Sequence, residues 1–511
     1  MNKRYRPWNL DQDFLLPPSP KDWLPKNHKI YMLLDILMAL DLSGFHARLA
    51  AKGRSGPETY SPGMMLGLLI WGYCTGVRTS RKIARATYED LAFRVLAAGD
   101  HPHFTRIADF RLEFKDLISG VFEQVLVLFK RIGVDHLGKF ALDGTKVQAN
   151  ASKHKAMSYE RMKQDEVRLR GEIEELLRQA DAIERKENEE LGPGRDGEEI
   201  PAELERRETR LKRIQEVRQE LENEAKAARA EELREEAEHQ RQRAAKAQHP
   251  GAAALAKERA QQAEDKAKLL DPPPDAPLQD WSVGADPDTA ELLPHHRVPH
   301  DADGVPEPRA QRNFTDPDSR IMAKNGRISQ DYNAHAVADE NQIIWAAEVT
   351  NQAPDCEHLP ALLKQTINNL DGNKPELFLA DTGYFSAANV DFAATQGVNP
   401  LIAVGRQKHG APEPQVAEET DTLPPAEQDA AHPSKKPPDK TPKQKMQGKL
   451  AKPENKAAYA RRKVIIEPVF GQIKEIMGFR RFLLRGIEKV RAEWRLVCLS
   501  HNILKLIGFM A

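Results

Sequence analysis

The chain has 511 residues, a formal net charge of -1 and 30% charged residues. That length holds roughly two to four domains with a sizeable core, and the near-neutral balance excludes a polycation, so charge for nucleic acid has to be local. The three cysteines, Cys74, Cys356 and Cys498, lie far apart with no C-x-x-C pair, which argues against a zinc ribbon or a disulfide framework and fits a reducing cytoplasm.

From the N-terminus, residues 1–20 contain no apolar core of signal-peptide length. The longest apolar run, Met64 to Trp71, is too short to span a bilayer. A soluble, cytoplasmic protein with no membrane partner is expected. Residues 1–30 are irregular, and helices dominate from about His28 to Arg131. Ile30–Leu42 has helical apolar spacing, and Pro62 opens the next helix where its missing N–H does no harm. Thr79-Ser80-Arg81-Lys82-Ile83 and Thr105-Arg106-Ile107-Ala108-Asp109-Phe110-Arg111 each look like a cap followed by a short basic helix. Such a pair suits a helix-turn-helix-like DNA reader, and equally a plain helical bundle with solvated basic residues.

Asn150 to about Asn313 reads as a long insertion. Leu169, Ile173, Leu176, Ala180 and Ile183 follow coiled-coil spacing. Gly192-Pro193-Gly194 breaks that helix. Leu204, Leu211, Ile214, Leu221 and Ala225 then form a second seam, so the two fold back as an antiparallel hairpin. Helix continues over 226–268 with an interruption at Pro250-Gly251, and Asp271 to Arg312 reads as loop. His295, His296 and His300 in it read as solvated loop histidines rather than metal ligands, lacking cysteine partners or regular spacing. Asp331–Ala338 and Gln342–Thr350 read as a hairpin, His358–Leu370 and Ser386–Thr395 as helices, and Pro400–Val404 as a strand. Residues 407–455 have a low-complexity, disordered composition. The last segment, Ala457 to Phe509, is helical, and its neighbourhood is basic: from Ala451 to Val490 there are ten Lys or Arg against four Glu and no Asp.

Two short apolar runs end on an acid and a glycine-containing turn: Lys139-Phe140-Ala141-Leu142-Asp143-Gly144-Thr145 and Glu376-Leu377-Phe378-Leu379-Ala380-Asp381-Thr382-Gly383. A third acid, Glu467, sits in the basic helix around Arg461-Arg462-Lys463. One Asp after a strand is more often a turn former or helix cap than a ligand. Two strand-end aspartates with a helical glutamate suit a pair of hard divalent cations, which want oxygen ligands and leave room for phosphate.

With these motifs in this order, the chain resembles the DDE transposases of bacterial insertion sequences, in the broad branch with a Tyr-Arg-Glu-Lys signature around the last acid. The likeness covers nearly the whole chain. Tyr60-Ser61-Pro62-Gly63-Met64-Met65 and Gly76-Val77-Arg78-Thr79-Ser80-Arg81-Lys82-Ile83 resemble the family's N-terminal helical domain. Leu142-Asp143-Gly144-Thr145-Lys146 and Ala380-Asp381-Thr382-Gly383-Tyr384 resemble its first two acidic motifs, with Phe314–Ser319 and Tyr332-Asn333-Ala334 as its central segment. Tyr459, Glu467 and Lys474 match the last motif. The basic position before Glu467 is shared between Arg462 and Lys463, so either could contact phosphate.

The resemblance implies an α/β fold: a ribonuclease-H-like mixed sheet with flanking helices, interrupted by a long helical coiled-coil insertion and preceded by a helical N-terminal domain. The expected organisation is an N-terminal helical DNA-binding domain over 1–135, a catalytic core from 136–151 and 313–406, the coiled-coil hairpin and loop over 152–312, a disordered linker over 407–455 and a C-terminal catalytic helix region over 456–511. Asp143, Asp381 and Glu467 would hold two Mg²⁺ ions, with Mn²⁺ able to substitute, and Tyr459, Arg462, Lys463 and Lys474 would contact DNA. The implied reaction is cleavage at terminal inverted repeats of double-stranded DNA and strand transfer into target DNA, by a homodimer that is nucleoid-associated when bound. Related enzymes hold a flipped base on an aromatic residue. Trp281 and Trp345 are the tryptophans near the core, and a core role is expected for Trp345. The main alternative is a catalytically inactive DNA-binding protein derived from such an enzyme; a coiled-coil scaffold and a simple metal nuclease are further ones.

Overall fold

The computed structural model describes residues 22, 24–51, 59–191, 202–271, 293–324, 326–405 and 440–510, without side chains for 179–204. Trp281 and residues 407–439 of the expected linker therefore lie outside the described residues.

Seven helices form the N-terminal layer: α1 (Lys29–Ala39), α2 (Ser43–Ala51), α3 (Pro62–Cys74), α4 (Ser80–Glu89), α5 (Leu91–Leu96), α6 (Phe104–Glu113) and α7 (Lys115–Arg131). Helix α3 is apolar on all sides and is buried along most of its length, as such a helix must be. The Thr79 hydroxyl accepts the Lys82 N–H at 3.2 Å and starts α4, as its sequence suggests. Helix α6 differs: it begins at Phe104 behind His103, and Thr105 lies inside its first turn, where its hydroxyl meets His103 Nδ1 at 2.9 Å.

Strand β1 (Lys139–Gln148) leads through β2 (Ala156–Ser158) into the insertion, made of α8 (Tyr159–Leu191), α9 (Ala202–Lys246) and α10 (Pro250–Leu270). The insertion closes where β2 pairs with β3 (Gln311–Asn313). The first seam is partly as read: Met162 and Leu169 bury against Ile214 and Val217, while Ala180, Ile183 and Leu204 lie outside the described side chains. A second fold-back was not foreseen. The chain reverses before Pro250, and α10 lays Ala260, Ala263 and Ala267 on Ala230, Leu233 and Ala237 of α9. Small side chains at helical spacing allow that close approach. The loop histidines are not solvated as expected. His295, His296 and His300 are half-buried, and His300 Nε2 lies 3.5 Å from Glu232 of α9. The loop is laid on the insertion, which withdraws it from water.

The rest of the sheet comprises β4 (Arg320–Lys324), β5 (Arg327–Asp339), β6 (Ile344–Thr350), β7 (Leu377–Ala380) and β8 (Asn399–Ile402), with α11 (Leu359–Asn369) and α12 (Ala387–Thr395) between them. Its order is β4-β5-β1-β7-β8, and β6 pairs with β5 beyond β4. β1 is antiparallel to β5, β5 antiparallel to β6, and β7 and β8 run parallel to β1. Strand β5 from Gln330 onward and all of β6 are buried on both faces, around Ala334, Ala336, Val337, Ile344, Trp345 and Val349. Trp345 is a core residue as expected; its indole N–H donates to Asp339 Oδ2 at 3.0 Å.

Three helices complete the fold: α13 (Pro442–Ala451), α14 (Pro453–Gly471) and α15 (Ile487–Met510). The first corrects the disordered reading of 407–455 over its last part. Thr441 and Gln444 form a capping box, Met446 is buried, and Lys449 Nζ donates to the Pro400 carbonyl at 2.8 Å, fastening α13 to β8. Low-complexity composition hid an element that tertiary contacts hold. Helix α15 joins the two halves. Arg491 pairs with Glu348 of β6 at 2.8 Å and Arg495 with Glu123 of α7 at 3.3 Å. Tyr73 of α3 donates to Glu493 at 2.8 Å. Asp318 Oδ2 accepts the Ile487 N–H at 2.6 Å, placing a carboxylate at the α15 N-terminus where the helix dipole favours it. Among the described residues no single helix is long and apolar enough to cross a membrane.

Candidate active site

The site begins with strand register. β1 and β7 pair in parallel, with Leu142 opposite Ala380 as the last pair. Asp143 and Asp381 are the next residues on each, so they lie side by side where β7 ends. β1 itself does not end at Asp143, contrary to the sequence reading. It runs on to Gln148 because the long β5 keeps pairing with it, Ala336 opposite Asp143 and Tyr332 opposite Val147.

Asp143 and Asp381 are half-buried. Burial pushes the Asp143 carboxyl up to about 6; Arg462 pulls it down, and the neighbouring Asp381 charge pushes it up further. Asp381 is raised too, first by burial, with Arg462 and the Gly383 N–H opposing. Each carboxylate is aimed by a backbone amide: Gly144 N–H donates to Asp143 Oδ1 at 2.8 Å and Gly383 N–H to Asp381 Oδ1 at 2.9 Å.

Helix α14 lies across these strand ends. Arg462 Nη1 donates to Asp143 Oδ2 at 3.3 Å, with 11% of its side chain exposed. Tyr459 donates its hydroxyl to the Ala380 carbonyl at 3.2 Å, beside Asp381. Pro468 interrupts the α14 ladder, having no N–H for the Val464 carbonyl four residues back; Gln342 Nε2 donates to that carbonyl instead at 3.3 Å. A π-helical turn over Gln472–Ile476 follows, and from it Lys474 Nζ donates to the Thr145 hydroxyl on β1. Glu467 lies between these two anchors, exposed, with no hydrogen bond or ion pair among the described residues. Lys474 lies seven positions further on, in the π-helical turn and not in α14 itself.

Behind the aspartates, on the other face of β1, sits a polar cluster. His335 of β5 and His358 are fully buried. His335 Nδ1 lies 2.6 Å from the Tyr384 hydroxyl. Asp355 Oδ1 accepts from Asn333 Nδ2 at 2.7 Å and from Lys146 Nζ at 3.3 Å. Burial drives His335 well below its ordinary value and His358 down to about 4. Both rings are therefore neutral, and the 3.8 Å approach of His335 Nε2 to Asp355 is not an ion pair. A Cβ on Gly144 would lie 2.8 Å from His335 Cε1 and 3.1 Å from the Tyr384 oxygen, so only glycine fits beside Asp143.

Two family models match the chain: a transposase DDE domain over residues 295–503 and a transposase domain of the N-terminal kind (DUF772) over residues 18–113. Together they span more than half of it. The chain belongs to the DDE transposase family. No curated protein and no solved structure gives a match.

As a DDE transposase the protein acts on DNA, and enzymes of this family use divalent metal ions. Of the residues singled out from sequence, the fold brings Asp143, Asp381, Arg462 and Tyr459 together, and it sets Lys474 two residues along β1 from Asp143. The shared basic position divides cleanly: Arg462 turns inward to Asp143, while Lys463 is exposed and without a partner among the described residues. Sequence reasoning passed over His335, Asp355, His358 and Tyr384. The available signal was a histidine in the apolar interior of β5, where a polar side chain needs a reason.

Proposed function

We propose that this transposase cleaves the ends of its element at terminal inverted repeats and transfers them to target DNA by phosphoryl transfer. The observation that carries the reading is the register of Leu142 on Ala380, which sets two carboxylates beside each other at the end of paired parallel strands. The sheet order, three antiparallel strands β6-β5-β1 followed by β7 and β8 parallel to β1, supports a ribonuclease-H-like core. The donor set fits a hard divalent cation. Both groups are carboxylates, and the charge of one raises the other, a repulsion that a bound cation relieves.

Asp143, Asp381 and Glu467 are the residues that would hold the metal. Two Mg²⁺ ions, with Mn²⁺ able to substitute, supply Lewis acidity toward the scissile phosphate and the attacking water or 3′-hydroxyl. The chain's own residues do the rest. Arg462 balances the Asp143 charge in the free protein, and its planar fork suits a phosphate that enters beside it. Lys474, in the turn that follows α14, and exposed Lys463 meet the DNA backbone as positive charges. Tyr459, tied to the Ala380 carbonyl, positions the turn that presents Asp381. We assign dimerisation in the active complex to the helical insertion, whose first seam reads as coiled coil; light scattering with and without element-end DNA tests it.

The deciding experiment incubates full-length protein with Mg²⁺ and DNA carrying the element's own ends. Nicks at the repeat boundaries are expected. Tight binding without nicking favours an inactive DNA-binding derivative, and cutting without preference for the ends favours a simple nuclease. Asp143→Ala, Asp381→Ala and Glu467→Ala should each reduce cleavage by roughly three orders of magnitude or more, with DNA affinity in a gel-shift assay little changed. Ordinary turnover in any of the three removes that residue from the site.

A further inference from the structure

We propose that His335, Asp355 and His358 form a second metal site, beside the paired aspartates but with ligands of its own, which takes a transition-metal ion of the Zn²⁺ class; Asp355 and Asp381 both lie close to Gly383. One ligand atom from each residue lies within 4.8 Å of the other two. The carriers are rigidly placed: His335 on β5, and Asp355 and His358 in the turn that follows β6 and ends at the start of α11.

The independent observation is a set of buried ring nitrogens with too few partners. His335 and His358 are both 0% exposed. Nε2 of His335 has no hydrogen-bond partner among the described residues, and the two ring nitrogens of His358 have at most the backbone at Pro354 between them. Buried polar atoms are nearly always paired, so under-partnered imidazole nitrogens gathered within reach of one carboxylate call for a ligand. The other nitrogen of His335, Nδ1, bonds the Tyr384 hydroxyl at 2.6 Å. When Nδ1 donates there, Nε2 presents its lone pair to the pocket, the arrangement by which an outer hydrogen bond orients a metal-binding histidine.

The groups around the site select the ion. Asp355 Oδ1 already accepts from Asn333 and Lys146, but a carboxylate has further lone-pair directions. Lys146 puts a positive charge next to the pocket, which works against weakly held hard cations. Two neutral imidazoles and one carboxylate favour Zn²⁺, Co²⁺ or Ni²⁺ over Mg²⁺ or Ca²⁺. The ion would pin the turn after β6 to β5. Through Tyr384 it would also brace the short turn Thr382–Tyr384 that begins at Asp381. The proposal does not depend on the cleavage reaction.

The test uses untagged full-length protein stripped with a chelator, reloaded with Zn²⁺ or Co²⁺ and passed through gel filtration. One ion per chain is expected by elemental analysis, together with the visible absorption of nitrogen-ligated, four-coordinate Co²⁺ and a rise in Tm on adding Zn²⁺. His358→Gln and His335→Gln should each lose the ion and the spectrum. Asp143→Asn should keep both, which separates this pocket from the paired aspartates. Three results overturn the proposal: wild-type protein that retains no ion, undiminished retention in His358→Gln, or loss of the ion in Asp143→Asn. The wild-type Co²⁺ spectrum and Tm rise decide the matter even if a histidine variant fails to fold.

Discussion

The Asp143 carboxylate is costly to the metal-free protein. Its carboxyl titrates at about 6 in the folded chain, above its ordinary 3.8. Between those values the folded state binds the extra proton, so this group favours folding increasingly as pH falls through about 6 and opposes it fully above. Asp143→Asn should therefore raise the stability of metal-free protein at pH 7.5 by about 1–3 kcal/mol, measured by urea unfolding, while it abolishes cleavage. The same sign governs metal. A cation needs the deprotonated carboxylate, so the gain in Tm on adding Mg²⁺ should be larger at pH 7.5 than at pH 5.5. Gly144 is the second sensitive position. An added methyl has to displace His335 and the Tyr384 hydroxyl from 2.8 and 3.1 Å, both fully buried. Gly144→Ala should cost about 1–3 kcal/mol in thermal unfolding, with no change in any residue proposed to touch DNA.

At the scale of elements, α15 and α14 divide the labour. α15 is the structural seam. Its Arg491 and Arg495 face Glu348 of β6 from 2.8 and 3.7 Å, all three side chains almost wholly buried. Removing the shared carboxylate leaves two guanidinium groups in the interior with too little counter-charge. Glu348→Ala should cost about 3–5 kcal/mol, read from the urea midpoint, and should loosen the N-terminal helices along with the sheet because Glu123 of α7 shares Arg495. α14 is the element to which the proposed chemistry assigns Glu467 and Arg462. Pro468 falls next to Glu467 and a π-helical turn follows directly on α14, and each departs from the regular helical ladder. Such departures cluster at functional sites. On either side of Pro468, Arg462 reaches Asp143 and Lys474 reaches Thr145, two anchors on one strand.

For the molecule as a whole, a formal charge of -1 offers DNA no general attraction. Binding has to come from local faces, and the N-terminal layer has one: Arg81 and Lys82 on α4 and Arg106 on α6 are exposed, with Arg81 stacked 4.8 Å from the Phe104 ring centre. Arg81→Ala, Lys82→Ala and Arg106→Ala should each weaken binding to duplex DNA across all sequences and lower the slope of log affinity on log salt by about 1 for each phosphate no longer neutralised. Unchanged slopes would move the DNA path away from this layer. The layer is carried on α15, as the Tyr73 to Glu493 and Arg495 to Glu123 pairings require, so α15 links any DNA held there to the catalytic sheet.

Much of this was legible in the residues alone. Helix starts at Thr79 and Ser386, the first apolar seam of the insertion, and the acid-ended runs at Asp143 and Asp381 are local patterns, written in spacing and cap chemistry that neighbouring residues determine. What distance along the chain separates, only packing decided. The register of β1 on β7 put Asp143 beside Asp381; the length of β5 carried β1 past its acid; and the twist of α14 turned Arg462 inward and left Lys463 in water. The cluster of His335, Asp355 and His358, drawn from a strand and the turn after its neighbour, had no sequence spacing to announce it. Residues meet there because two β-strands pair and the chain then folds back over them. That outcome belongs to the buried core as a whole, where hydrophobic area and hydrogen-bond register are satisfied together and not by any short segment of the chain.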